Sequence, residues 1–182
     1  MFEEADIAPV LILTGPPGAG KTTLARKLAE SSQRPAVHMH SDDFFDYIKS
    51  GFIAPWLPQS ARQNQTVSRA LAAAACAYAK GGFWVVMDGV VGPWHLDMYR
   101  DESRRVGVPF DYVTLRPDRE TAERRARDRE VSPLPDYPPR IYEGFSDLGP
   151  LEGHVIDTGE MDAEAAAAAV RAGLAAGRYR LA

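Results

Sequence analysis

Apolar positions along the chain cluster into short unbroken runs, separated by longer stretches in which apolar residues recur every three or four positions. The short runs are Val10-Leu-Ile-Leu13, Ala36–Met39, Phe83-Trp-Val-Val-Met87, Tyr112-Val-Thr-Leu115 and His154-Val-Ile156. Runs of this length, rich in Val, Ile and aromatic residues, read as buried strands. The stretches near 21–31, 60–80, 118–130 and 162–176 read as helices. In the first, Leu24, Ala25 and Leu28 fall at helical spacing. The last is nearly all Ala, with Val170 and Leu174 on its inner face and Gly177 as its stop. Strands alternate with helices, and the strands are apolar on both sides. This predicts an α/β protein with a parallel sheet covered on both faces.

Two segments break the pattern. Ser50–Ser60 holds Pro55 and Pro58, and Val131–Arg140 holds Pro133, Pro135, Pro138 and Pro139. Proline at that density excludes helix interior and central strand. Loops of this length tend to be functional. The first lies inside a candidate substrate-binding segment, about 44–64, and the second inside a candidate mobile lid, about 127–142. There is no internal repeat and no linker, so residues 1–182 are expected to form one domain.

Composition narrows the setting. Hydrophobic residues make up 45% and charged residues 25% of the 182, ordinary for a globular domain. The net charge of −4 offers no general pull toward nucleic acid or anionic membrane. Cys76 is the only cysteine, which excludes a disulfide framework, and its Ala-rich surroundings suggest a small core residue. The acidic start Met1-Phe-Glu-Glu-Ala-Asp6 does not resemble a secretory signal. A cytoplasmic protein with a small-molecule partner is expected, and neither nucleic acid nor membrane. Oligomeric state is left open by the sequence.

The candidate chemistry centres on Gly15-Pro16-Pro17-Gly18-Ala19-Gly20-Lys21-Thr22, followed by Thr23. This fits the pattern G-x-x-x-x-G-K-[ST] of a phosphate-binding loop, between a predicted strand and a predicted helix. Several backbone N–H groups must converge on a triphosphate, so the loop has to curl tightly without side chains in the way. Lys21 would reach the β- and γ-phosphates, and the Thr22 hydroxyl is a hard oxygen ligand for Mg²⁺. ATP and Mg²⁺ are the cofactors this implies.

Asp88 ends the third strand. A carboxylate there suits Mg²⁺ beside a phosphate loop, although Asp88-Gly89 is also a turn pair. Asp42 and Asp43 follow the second strand. Either could accept the proton of an attacking hydroxyl, with Asp42 ahead, and Ser41-Asp42-Asp43 also makes a good helix start. Arg116, Arg119, Arg124, Arg125, Arg127 and Arg129 crowd one segment. Arg125 and Arg129, four apart at the entrance to the proline cluster, are candidates to stabilise transferring charge, with Arg140 behind them. Most of the others are expected to form a solvated face paired with Glu120, Glu123, Asp128 and Glu130. Phe45, Trp56 and Trp94 are candidate pocket walls, and Asp43, Arg62 and Asn64 candidate polar contacts. Phe44, Tyr47 and Phe52 could equally pack the core. The four histidines lack metal-ligand spacing, and His38 and His40 are expected to be structural.

These motifs resemble the small P-loop kinases of the nucleoside-monophosphate-kinase-like group, with the nearest likeness to chloramphenicol phosphotransferase, zeta toxins, gluconate kinase and shikimate kinase. The resemblance spans nearly the whole chain. It implies a three-layer α/β/α fold with a five-stranded parallel sheet in the order 2-3-1-4-5. It puts Asp42 on the acidic base position, Arg125 and Arg129 on the lid arginines, and the loop after Asp157-Thr158 near the adenine. Two departures stand out. His40 occupies the first position of the Asp-x-Asp that several members carry, and Val90-Val91 replaces the Pro-Arg that follows Asp-Gly in adenylate kinase.

The expected activity is ATP- and Mg²⁺-dependent phosphoryl transfer to a hydroxyl of a small, partly apolar molecule. A nucleotide or nucleotide-sugar kinase, zeta-toxin-like enzymes included, is the alternative. A nucleotide switch or motor is disfavoured. The sequence has neither Asn-Lys-x-Asp nor Asp-x-x-Gly, and Gly89 stands where motor ATPases usually carry Glu.

Overall fold

The computed structural model describes residues 7–128 and 140–181. Five strands, β1 (Val10–Thr14), β2 (Ala36–His40), β3 (Trp84–Asp88), β4 (Phe110–Leu115) and β5 (Val155–Ile156), form one sheet in the order β2-β3-β1-β4-β5. Every neighbouring pair is parallel. Successive side chains of a strand point to opposite faces, and the two cores follow that rule. Val10 and Ile12 of β1, Val85 and Met87 of β3, and Phe110 and Tyr112 of β4 belong to one core. It is closed by α3 (Ala61–Lys80) and α4 (Leu96–Val106). Leu11, Leu13, Val86, Val113 and Leu115 belong to the other. It is closed by α1 (Lys21–Glu30) and α7 (Ala163–Ala175). Each large apolar side chain buried this way stabilises the fold by about 1.5–3 kcal/mol.

The predicted strands and helices are all present, and the sheet order is the one implied by the resemblance. The differences have local causes. β4 begins two residues before the apolar run because Asp111, though buried, is paired with Arg180 Nε at 2.9 Å. His154 closes a 3-10 segment, Gly149–His154, and does not join β5. The helix expected over 118–130 is α5 (Arg119–Arg127), started by Asp118, whose carboxylate accepts from Thr121 N at 2.9 Å. Three α-helices among the described residues were not expected. One is the short α2 (Ser41–Asp46). Another, α4, buries Leu96 and Tyr99 on one side and is charged on the rest. The third, the short α6 (Arg140–Glu143), follows the proline cluster. Residues 129–139, with Arg129 and most of the proposed lid, lie outside the described residues, as does the side chain of Arg140. Cys76 is in the first core, and burial pushes its thiol up to about 11. Among the described residues no helix is long and apolar enough to cross a membrane.

The register sets where chemistry can occur. Asp88 pairs in the sheet with Leu13 on one side and His40 on the other. The carboxyl ends of β1, β2 and β3 therefore finish together, and the segments that follow them share one edge.

Candidate functional site

The first of these segments is the loop Gly15–Thr22, which leads from β1 into α1. Its glycines are required by packing as well as by curvature. Gly15 has φ 141° and Gly18 φ 78°. A Cβ at Gly15 would strike the Leu115 carbonyl, and one at Gly18 the Ala122 carbonyl. The loop is thus wedged against β4 and α5. Gly20 caps α1 without a side-chain bond, so the first N–H groups of that helix face the loop. Lys21 is buried, and its Nζ donates to the carbonyls of Gly15 at 3.0 Å and Pro16 at 2.9 Å.

Thr22 Oγ1 donates to Asp88 Oδ2 at 2.6 Å. Asp88 is fully buried, and three partners surround it. His38 Nε2 lies 2.6 Å from Oδ1, and His40 Nδ1 lies 3.2 Å from the carboxylate. Burial alone would raise the Asp88 pKa, but the bonds from His38, His40 and Thr22 outweigh it and hold the carboxyl well below its usual range. The bond to Asp88 raises the His40 pKa against the opposing effect of its own burial. The two histidines, read from sequence as structural, therefore flank the site's central carboxylate. The available signal was their spacing: two apart on a strand, they face the same way, beside the strand that ends in Asp88.

Among the described residues no group of three or more His, Cys, Asp or Glu could hold a metal ion by itself. Mg²⁺ does not need such a cage, because it binds through one or two protein oxygens together with phosphates and water. Thr22 Oγ1 and the ionised Asp88, 2.6 Å apart at the start of α1, are a donor set of that kind.

Asp42 sits in the first turn of α2 with an exposed carboxylate, and its Oδ2 is 3.6 Å from His40 Nε2. The helix is placed by a close fit at its start. Ser41 is buried against Gly89, where any Cβ would overlap the Ser41 side chain. The glycine after Asp88 therefore has a steric reason beyond turn formation. Beside Asp42 opens a cavity of about 480 Å³, walled by Phe45, Phe52, Trp56, Trp94, Leu71 and Ile141, with Asn64, Ser68 and Tyr99 as polar members. Trp94 is 56% exposed, yet its indole lies over Gly92 and Gly144, and its ring centroid is 5.9 Å from that of Phe145.

A second, smaller pocket of about 180 Å³ lies on the other side of the loop, among Ala19, Gly20, Thr23, Leu115, Arg125 and Thr158. The Arg125 guanidinium donates to the carbonyls of Thr158 at 3.1 Å and Gly159 at 3.0 Å. This sets Arg125 at the wall of the small pocket, holding the loop that follows β5. Thr158 Oγ1 in turn donates to Ala19 O at 3.4 Å.

The structure thus brings Asp42, Phe45, Trp56, Asn64 and Trp94 to one cavity. Arg62 is elsewhere, in a separate groove between α2 and α3 with Phe44 and Tyr47. Helical spacing explains this: Arg62 lies two positions before Asn64, so the two point in widely different directions from α3. Asp43 is exposed and lines neither the cavity nor the groove. Of the arginine-rich segment, Arg119 pairs with Glu123 and Arg116 with Glu152.

Comparison with known proteins agrees with this geometry. A family model for the AAA domain matches residues 10–136. A comparison with curated protein sequences gives no match. Similar solved structures include APE1195, at 20% identity and a TM-score of 0.73, covering 97% of this chain and 99% of that one. A sugar kinase from Janibacter sp. HTCC2649 gives 18% identity and a TM-score of 0.68, with 92% and 95% covered. The Mycobacterium tuberculosis APS kinase CysC in complex with AMPPNP and APS gives 19% identity and a TM-score of 0.62, with 92% and 98% covered. At these identities the likeness is one of fold. With the family match over residues 10–136, the chain belongs to the AAA domain family and has the fold of the small P-loop kinases.

Proposed function

We propose that the protein is an ATP- and Mg²⁺-dependent kinase that transfers the γ-phosphoryl group to a hydroxyl of a small, partly apolar molecule. One observation carries this reading. An unbroken chain of contacts joins the phosphate loop to the aromatic cavity: Thr22 to Asp88 at 2.6 Å, Asp88 to His40 at 3.2 Å, and His40 to Asp42 at 3.6 Å. A carboxylate that lines an apolar cavity and is linked through His40 and Asp88 to the phosphate loop suits the service of an incoming hydroxyl.

In this reading the small pocket beside Thr23 and Arg125 takes the base of ATP, and the backbone of Gly15–Thr22 takes its phosphates. Lys21 exchanges its two loop carbonyls for phosphate oxygens. Thr22 and Asp88 would hold Mg²⁺, which supplies charge neutralisation of the phosphates when bound. The aromatic walls hold the acceptor and exclude water, which would otherwise take the phosphoryl group. Asp42 accepts the hydroxyl proton as the acceptor oxygen bonds to the γ-phosphorus and the bond to the β-phosphate's bridging oxygen breaks. Such a base contributes roughly 10²–10⁴-fold, and positioning and electrostatics supply most of the rest. His40 meets Asp88 through Nδ1, and its Nε2, 3.6 Å from Asp42, orients that carboxylate when the ring is protonated.

The test is incubation with ATP, Mg²⁺ and a panel of aromatic and aliphatic alcohols, read by phosphorus NMR and mass spectrometry. A phosphorylated alcohol supports the reading. ATP hydrolysis at the same rate with and without every alcohol contradicts it.

A further inference from the structure

The same cavity, read as the acceptor site of the kinase just proposed, also carries information on the charge of that acceptor. Its described lining contains two carboxylates, Asp42 and Asp46, and no Lys or Arg. The two are four apart in α2 and share a helix face. If Asp42 receives the hydroxyl proton, Asp46 is left over. Among the described residues no ion pair or hydrogen bond engages it.

The remaining polar lining points the same way. Asn64 is only 9% exposed. Its Nδ2 donates to Pro55 O at 2.7 Å and Ser60 Oγ at 2.9 Å, so both amide N–H groups are engaged within the protein and none is left for an anion. His95 is the one side chain of the lining besides Asp42 and Asp46 that could carry charge near neutral pH, and burial lowers its pKa and favours the neutral ring. The walls are otherwise aromatic rings, whose faces attract cations.

We infer that the acceptor is a hydroxyl compound with an aromatic or similarly apolar body and a protonated amine. The carboxylate of Asp46 pairs with the amine, and the rings of Phe45, Phe52, Trp56 and Trp94 hold the apolar body. A cavity of about 480 Å³ admits a body of indole size or larger.

Three probes of one shape but different charge test this: tryptophanol (amine), tryptophol (neutral) and indolelactate (anion). Binding is measured calorimetrically on the full chain with a non-hydrolysable ATP analogue and Mg²⁺, and product formation separately with ATP by mass spectrometry. The expected order is amine, then neutral, then anion, with an amine-over-neutral margin of about fivefold, the size of one exposed charge pair. That margin should vanish in Asp46→Asn and return in Asp46→Glu. Indolelactate binding as well as tryptophanol, failure of tryptophanol to bind, or a margin that survives in Asp46→Asn each overturns the inference. If the charge order holds but no alcohol of the wider panel gains phosphate or changes the rate of ATP hydrolysis, the kinase reading fails and the charge assignment stands.

Discussion

Thr22 and Asp88 are 66 positions apart in sequence, yet Thr22 Oγ1 donates to Asp88 Oδ2 at 2.6 Å. The parallel register of β1 and β3 produces this meeting, since Leu13 and Asp88 are paired in the sheet. If these oxygens serve Mg²⁺, Asp88→Asn removes the charge while keeping the shape. The gain in ATP affinity on adding Mg²⁺ should then fall by at least about tenfold, the usual cost of 1.4 kcal/mol or more for a lost charged partner. Calorimetric titration of ATP with and without Mg²⁺ checks it. An unchanged Mg²⁺ effect would remove Asp88 from the metal site.

Gly89 and Ser41 form a steric pair. Gly89→Ala forces the Ser41 side chain away and with it the start of α2. Overpacking of this kind costs about 1–3 kcal/mol of stability. Turnover should fall further than stability alone explains, because Asp42 is the next residue. The double variant Gly89→Ala with Ser41→Gly should recover part of both. Denaturant unfolding and turnover measured across the four proteins provide the coupling.

Arg125 is predicted to act on nucleotide affinity. Arg125→Ala loses two charge-assisted bonds to the loop at Thr158 and Gly159. With each such bond worth about 1.5–3 kcal/mol, ATP KM should rise by tenfold or more. A fall in kcat with KM unchanged would instead put Arg125 over the transferring phosphoryl group.

Arg116 ties the segment after α6 back to the end of β4. Its guanidinium meets both oxygens of Glu152 at 2.8 Å and the carbonyls of Phe145 at 3.0 Å and Ser146 at 3.2 Å. The bond from Arg116, with that from Leu148 N, lowers the Glu152 pKa from 4.5 to about 2. A depressed carboxylate stabilises the fold fully above its unfolded value and loses that contribution as pH falls through the folded one. Glu152→Gln should therefore be less stable than the parent at pH 7. The gap should close as pH falls from about 4.5 toward about 2. Parallel denaturant titrations along that pH range check it.

The strands were legible because parallel strands are buried on both faces and appear as bare apolar runs, whereas their order followed only from the family resemblance. Val10–Thr14, buried at every position, is the clearest case. Helix α4 was not, because a single narrow stripe through Leu96, Tyr99 and Val106 is diluted by charged residues such as Arg100, Asp101, Glu102, Arg104 and Arg105. The donor half of the site was readable since the loop motif is a local backbone requirement. The other half depends on side-chain direction. Spacing places His38 and His40 on one side of β2, but only strand pairing shows that Asp88 lies there. Likewise, whether Arg62 or Asn64 faces the cavity depends on the rotation of α3 about its own axis, which polar residue types do not reveal.

The central claim is that Asp42 serves the acceptor hydroxyl beside an intact ATP site, and Asp42→Asn tests it most directly. Once an acceptor is found, single-turnover phosphoryl transfer and ATP binding are measured on the same preparation. The account predicts ATP affinity within about twofold of the parent and transfer slowed by roughly 10²–10⁴-fold, the contribution of a general base. Transfer at close to the parental rate with ATP still bound would contradict it.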